Sequence, residues 1–304
     1  MRSIVFVDKP LLQADAFHLL AGRKGVGKGT YVADIAARVT RGEFGPKRRV
    51  VWIGSEDSAA IDIKPRVLAA GGDPAMVAIV NEWIQLPRDI ARLGATVGSI
   101  GDVGLSVIDP LGNHITGKDS NSEGDIRTAI APLNDLADEH QMVMLGIRHL
   151  SEKECKAGAT AAILGSSAWV QVPRAVLVIA RDNDDAQLSH VQCIAGNRLP
   201  ADLPGRTFRI SGVMLAGLEN EVTRAVWEGD STKNVESLLE QAGPRTSKSA
   251  VARSLILDAL EATEHGEMES DALDALVGQR TGLAAQTIKN LRVALKNEGM
   301  VRAA

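Results

Sequence analysis

Between Phe17 and Val39 the chain reads FHLLAGRKGVGKGTYVADIAARV, and this stretch restricts the fold more than any other. A short apolar run, Phe17, Leu19 and Leu20, enters the glycine-rich loop Gly22, Arg23, Lys24, Gly25, Val26, Gly27, Lys28, Gly29, Thr30. Apolar residues then recur at Val32, Ile35, Ala36 and Val39, the i, i+3, i+4, i+7 spacing of one helical face. Strand, glycine loop and helix in that order surround phosphate oxygens with backbone N–H groups at a helix start. Glycines let the main chain approach without Cβ clashes, and Lys28 is spaced to reach β- and γ-phosphates. The pattern predicts a nucleotide cradle formed by Gly22 through Thr30.

One position departs from that pattern. A hydroxyl residue is expected directly after the lysine, where it meets Mg²⁺, but Gly29 stands there and Thr30 follows. The GKGT ending resembles the loop of adenylate kinases, so a phosphate cradle survives without the direct ligand. Thr30 and a carboxylate elsewhere are then the expected metal contacts.

The 304 residues suit about two domains, and 45% apolar with 24% charged residues is ordinary globular composition. A net charge of −4 excludes global attraction to nucleic acid, so such binding must use local patches. Aromatics at 3% argue against a base-stacking platform. Cys155 and Cys193 have no metal spacing and suggest a reduced, cytoplasmic protein. Asp8 and Lys9 interrupt the N-terminal apolar run, so no signal peptide is expected there, and no stretch is long and apolar enough for a membrane span.

Continuous apolar runs mark strands buried on both faces of a parallel sheet. Val50 to Ile53 ends in Gly54-Ser55-Glu56-Asp57, and Leu105 to Ile108 delivers Asp109 before Pro110. An aspartate at the carboxyl end of such a strand is placed to hold Mg²⁺ directly or through water. Helices are expected over 59–70, disturbed by Pro65, over 87–97, and over 123–139 with a kink at Pro132. Met142 to Ile147 is a strand ending at Arg148-His149, and 151–167 reads as a long mobile loop. Ala175–Ala180, Val191–Ala195 and Arg206–Ile210 supply late strands, which together give a doubly wound α/β core.

The ordered segments GRKGVGKGT, WIGSEDS, LSVIDPLGNHITGKDSN, LGIRHLSEK and GSSAWVQVPRAVLVIARD resemble the RepA-like branch of the RecA-fold ATPases over about residues 10–215. That branch includes hexameric replicative helicases of plasmids and phages. The resemblance implies a RecA-like P-loop core with a central, mostly parallel twisted sheet, ATP and Mg²⁺ as ligands, and a homo-oligomer, expected as a hexamer around single-stranded DNA. It assigns Lys28 to the β–γ phosphates, Glu56 to the attacking water (with Asp57 able to exchange roles), Asp109 to the Mg²⁺ shell, and His149 to sensing the γ-phosphate. Arg198 is the implied finger from a neighbouring subunit, with Arg174 or Arg181 as substitutes. Ring helicases often pair such an arginine with a lysine two residues earlier, where this chain has Gly196.

The expected organisation is an ATPase domain over 1–228, a polar linker over 229–249 and a small helical or winged helix-turn-helix domain over 250–304. No lysine or arginine occurs between Ser254 and Gln279, whereas Arg280, Lys289, Arg292, Lys296 and Arg302 follow. Lys289, Arg292 and Lys296 share a helical face that suits phosphates or a duplex major groove. A three-helix bundle for protein contacts is the other reading of this tail. In the core, Lys153 and Lys156 of the 151–167 loop are the expected single-strand contacts. These features point to a DNA motor, a helicase or helicase-like ATPase of phage or plasmid replication. The alternative is an ATP-switched DNA-binding accessory or recombination factor without unwinding. A small-molecule phosphotransferase, suggested by GKGT, would need an arginine-rich lid that the chain lacks.

Overall fold

Leu19 and Leu20, neighbours in one apolar run, are both fully buried but in different cores, because successive strand side chains leave opposite faces of a sheet. The same holds for Val50 and Val51, Val107 and Ile108, and Leu177 and Val178. These runs are continuous because both faces of the sheet they form are covered.

A computed structural model describes residues 6–8, 11–54, 56–117, 119, 121–151, 154–163, 165–196, 203–241, 248–261, 263, 268–283, 285–297 and 301. The chain divides into two compact units, Met1–Gln241 and Ala242–Ala304. The first starts with paired short strands β1 (Phe6–Asp8) and β2 (Leu12–Gln13), then β3 (Ala16–Gly22) and α1 (Lys28–Arg41). Next come β4 (Arg49–Gly54), a wide π turn at Ala59–Ile63 running into α2 (Lys64–Ala69), β5 (Val77–Val80), α3 (Ile90–Ile100) and β6 (Val103–Asp109). Helices α4 (Glu123–Ile130) and α5 (Pro132–Glu139) precede β7 (Val143–His149) and the short helices α6 (Ala159–Ile163) and α7 (Ala168–Gln171). Strands β8 (Ala175–Arg181), β9 (Leu188–Gly196), β10 (Gly205–Val213) and β11 (Val222–Ser231) lead to α8 (Val235–Gln241).

Among the described residues nine strands form one sheet in the order β11-β10-β9-β8-β3-β7-β6-β4-β5. From β8 to β5 all pairings are parallel, whereas β8-β9, β9-β10 and β10-β11 are antiparallel. Tyr31, Val32, Ile35 and Val67 pack with α1 and α2 on one face, and Leu93, Ile126, Leu133 and Trp169 belong to the core of the other. The sheet is the mostly parallel one expected, with an antiparallel extension longer than the sequence shows.

Several expectations change. The helix over 59–70 starts as a π turn capped by Ser58 and becomes α-helical at Lys64, with Pro65 in the first turn where its missing N–H costs nothing. Pro132 splits 123–139 into two helices at Ala131. Within the segment expected as a mobile loop over 151–167, Cys155 in a short 3-10 turn and Ala159, Ala162 and Ile163 of α6 are buried instead. The expected linker over 229–249 also shrinks, because β11 extends to Ser231 and α8 buries Val235, Leu238 and Leu239 in the core of the first unit. Among the described residues no helix is long and apolar enough to cross a membrane.

Among its described residues the second unit has three helices, α9 (Lys248–Glu261), α10 (Ser270–Thr281) and α11 (Ala285–Asn297), around Ala252, Ile256, Leu273, Val277, Ile288 and Leu295. Gly282 ends α10 in the left-handed conformation, φ 64°, that glycine adopts most readily.

A buried carboxylate ties the last elements of the first unit together. Asp182 accepts hydrogen bonds from His190 Nε2 at 2.8 Å, Lys233 Nζ at 3.0 Å and the Asp184 N–H at 2.8 Å. Burial pushes this carboxyl up, but the donors together outweigh it and hold the group well below its ordinary value of 3.8. A depressed carboxylate contributes stability above its unfolded pKa and loses it as pH falls. Asp182→Asn is therefore expected to lower stability by about 2 kcal/mol at neutral pH. Thermal melts at pH 7 and at pH 3 should show the gap to wild type shrinking at the lower pH.

Candidate functional site

Strand register brings the expected residues to one edge. In the β3–β7 pair Gly22 lies opposite His149, and in the β4–β6 pair Gly54 lies opposite Asp109. The carboxyl ends of the parallel strands, where α/β sheets place ligands, thus carry the glycine loop, Glu56, Asp109 and His149 together.

The loop is built by close contacts. A Cβ on Gly22 would fall 2.8 Å from the Ile179 carbonyl oxygen of β8, so only glycine fits. Gly27 caps α1 at φ 95°, and a Cβ there would lie 2.7 Å from Ile210 Cδ1. Arg181 donates to the Gly25 carbonyl, and Ser189 Oγ donates to the Val26 carbonyl at 2.9 Å. These bonds turn the loop carbonyls toward β8 and β9. Neither Arg181 nor Ser189 carries a sequence signal, since each lies more than 150 residues from its partner. Arg181, considered above as a finger for a neighbouring subunit, is committed to its own loop.

Lys28 is buried. Its Nζ donates to the carbonyls of Gly22 at 2.8 Å and Arg23 at 2.9 Å, and meets His149 Nδ1 at 3.2 Å. An ammonium group only donates, so His149 accepts on Nδ1 and carries its proton on Nε2. That Nε2 faces Glu56 Oε2 at 3.4 Å. Lys28, His149 and Glu56 therefore form one chain from the loop across β7 to the end of β4. Asp57 turns the other way, to Arg66 at 2.6 Å, so the two adjacent acids have different partners.

Asp109 completes the cluster. Burial pushes its carboxyl from 3.8 up to about 7; Asp57 and Glu56 add to the rise, and Lys28 and Arg66 oppose it. A cation beside Asp109 would favour its ionised form. Among the described residues no group of three or more His, Cys, Asp or Glu side chains could hold a metal alone. Mg²⁺ at phosphate sites takes one or two carboxylates and keeps waters, which the Asp109 region fits.

Other expected residues lie elsewhere. The Thr30 hydroxyl, expected as a metal contact, pairs with that of Thr223 in β11 at 3.2 Å. Arg23 is buried with Nε on Cys155 Sγ at 3.3 Å, linking the loop to the segment after β7, while Lys24 is exposed. Lys153, Arg198, Arg302 and the side chain of Lys156 lie outside the described residues. In the second unit Lys289 and Lys296 are exposed, but Arg292 is drawn to Asp274 of α10 at 2.9 Å and is only partly exposed.

A family model described as an AAA domain matches residues 6–154, the part that contains every residue of this cluster. The crystal structure of the RadB recombinase is similar at 16% identity and a TM-score of 0.50, over 65% of this chain and 88% of the recombinase. The core has the RecA-like fold of P-loop proteins. No curated protein matches the sequence.

A carboxyl group raised on folding stabilises the protein at low pH, and that contribution disappears as pH rises through about 7. Asp109→Asn removes the titration. In buffer without nucleotide or divalent cations, the melting temperature of the variant relative to wild type should rise between pH 5 and pH 8. An unchanged difference would mean that Asp109 is not strained by its neighbours.

Proposed function

We propose that this chain is an ATP-hydrolysing RecA-fold motor that acts on DNA, a helicase or helicase-like ATPase of phage or plasmid replication. The observation that carries the reading is the Lys28–His149–Glu56 chain beside Asp109, which joins a phosphate-binding lysine to a carboxylate able to orient water. The AAA-domain match over the same residues supports ATP as the substrate.

With the triphosphate bound, the Lys28 ammonium turns to the β–γ oxygens and gives up contacts it makes within the loop. His149 then loses the donor on Nδ1, and its Nε2–H remains available to hold Glu56. Glu56 accepts a proton from the attacking water as phosphoryl transfer proceeds. Asp109 would hold Mg²⁺ through its hydration shell, and the ion would supply positive charge beside the phosphates. The change at His149 has a direct route onward: the Leu150 N–H bonds the Gly22 carbonyl at 3.3 Å and Arg23 reaches Cys155. In this reading that segment carries the nucleotide state to bound DNA, a ring of subunits surrounds one strand, and Arg198 completes the neighbouring site. Lys289 and Lys296 of the second unit, read as a helix-turn-helix, meet duplex phosphates.

A second reading, an ATP-switched DNA-binding accessory or recombination factor without unwinding, is favoured by one observation. Gly29 has no hydroxyl and that of Thr30 is engaged with Thr223, which suits slow turnover. Strand displacement on a forked duplex, with Lys28→Ala as control, separates the two. ATP-dependent displacement lost in the control supports the motor, and nucleotide-dependent binding without displacement supports the switch.

Glu56→Gln should lower turnover by about 10²–10⁴-fold with nucleotide affinity nearly unchanged, while Lys28→Ala should lose both. Phosphate release and calorimetric titration measure the two quantities. For DNA, Lys289→Ala and Lys296→Ala should each reduce the slope of log affinity against log salt by about 1. Fluorescence anisotropy from low to moderate salt reads the slope, and an unchanged slope in both variants would remove α11 from the DNA contact.

A further inference from the structure

The place where a hydroxyl side chain is expected after the loop lysine is not left open. A Cβ on Gly29 would lie 3.1 Å from Arg66 Nη1 and 3.5 Å from Asp57 Oδ2, so a guanidinium abuts the spot. Arg66 is held there by two carboxylates: Nη1 meets Asp57 Oδ2 at 2.6 Å and Nη2 meets Asp62 Oδ1 at 3.1 Å. Asp62 is itself fixed, because its other oxygen accepts the Ser58 N–H at 3.0 Å. The π turn at Ala59–Ile63 and the first turn of α2 thus aim one arginine at the loop helix. Its charge is also felt at Asp109. Arg66 is partly exposed.

We infer that Arg66 is a phosphate-binding residue that takes over part of the work of the missing hydroxyl and its metal. Where a hydroxyl at this place ligates Mg²⁺, the cation brings positive charge to the β–γ oxygens. Here Gly29 offers no ligand, and the small residue leaves room for a guanidinium that carries the charge itself. Arginine suits the task because its planar fork presents further N–H donors after the bonds to Asp57 and Asp62 are made, and it keeps its charge at any working pH. Nη1, which Asp57 holds beside Gly29, has a second N–H that this bond does not use. Substituting Gly29 by serine would crowd Arg66, so the glycine and the arginine act as a pair. The consequence is nucleotide binding that depends only weakly on Mg²⁺. The inference rests on reading residues 22–30 as a nucleotide cradle.

Calorimetric titration of the full-length chain with a non-hydrolysable ATP analogue, in EDTA and in excess Mg²⁺, tests it. Wild type should bind in both, with less than about a tenfold difference in affinity. Arg66→Gln should lose about tenfold or more in EDTA, the scale of a charge-assisted hydrogen bond, and much less in Mg²⁺. Arg66→Lys should recover part of the loss. Gly29→Ala, which pushes the guanidinium aside without removing it, should weaken binding in EDTA in the same sense. Thermal melts confirm folding, and the lysine and alanine variants decide the matter where Arg66→Gln is unstable. An EDTA-to-Mg²⁺ affinity ratio that is the same in wild type and all three variants overturns the role of Arg66. Absence of wild-type binding in both buffers, matching Lys28→Ala, overturns the cradle instead.

Discussion

A buried ammonium ion is unfavourable unless its protons meet acceptors, and the shape of the candidate site follows from how Lys28 meets them. Two acceptors are carbonyls of the loop itself, Gly22 and Arg23, so the loop must curl around the lysine that follows it. The third is His149 at the end of β7, so β3 and β7 must be adjacent and in register. That adjacency sets Gly22 against the carbonyl of Ile179 on the other side, where only glycine fits. The position of a single cation thus fixes a loop, a strand pairing and a sequence requirement.

The antiparallel strands provide the backing for this arrangement. Tyr31 of α1, Phe208 of β10 and Trp227 of β11 pack ring against ring at 5.6–6.0 Å, and Trp227 Nε1 donates to Asp34 of α1 at 2.9 Å. Burial raises the Asp34 carboxyl, and the Trp227 bond opposes that rise. Such aromatic contacts contribute about 0.5–1.5 kcal/mol each beyond burial. α1 is therefore held from the side opposite the parallel strands, and Gly27 is pinned beneath Ile210.

Much of the core was legible because its signals are local. The glycine loop, the apolar runs of β3, β4, β6, β7 and β8, and the acids at strand ends each declare themselves within ten residues. What escaped had weak or distant signals. β11 is an edge strand whose exposed residues, Arg224, Val226 and Glu228, read like a domain end. After β7 the buried residues are Cys155, Ala159, Ala162 and Ile163, too little apolar mass to mark a helix. Arg66 sits in a helix start where charge is ordinary, and only the packing of α2 against α1 turns it toward Gly29. Of the acids after β4, Glu56 was the expected one with Asp57 able to exchange roles, and the two have different partners, His149 and Arg66.

The clamps on the glycine loop span 156 residues from Arg181 to Gly25, 163 from Ser189 to Val26 and 193 from Thr223 to Thr30. Closing such long intervals is entropically expensive and comes late when a chain gains order. During synthesis, then, the glycine loop leaves the ribosome well before the residues that clamp it, and it acquires its finished shape only after β11 has emerged. A chain that ends before β11 has the loop without its clamps.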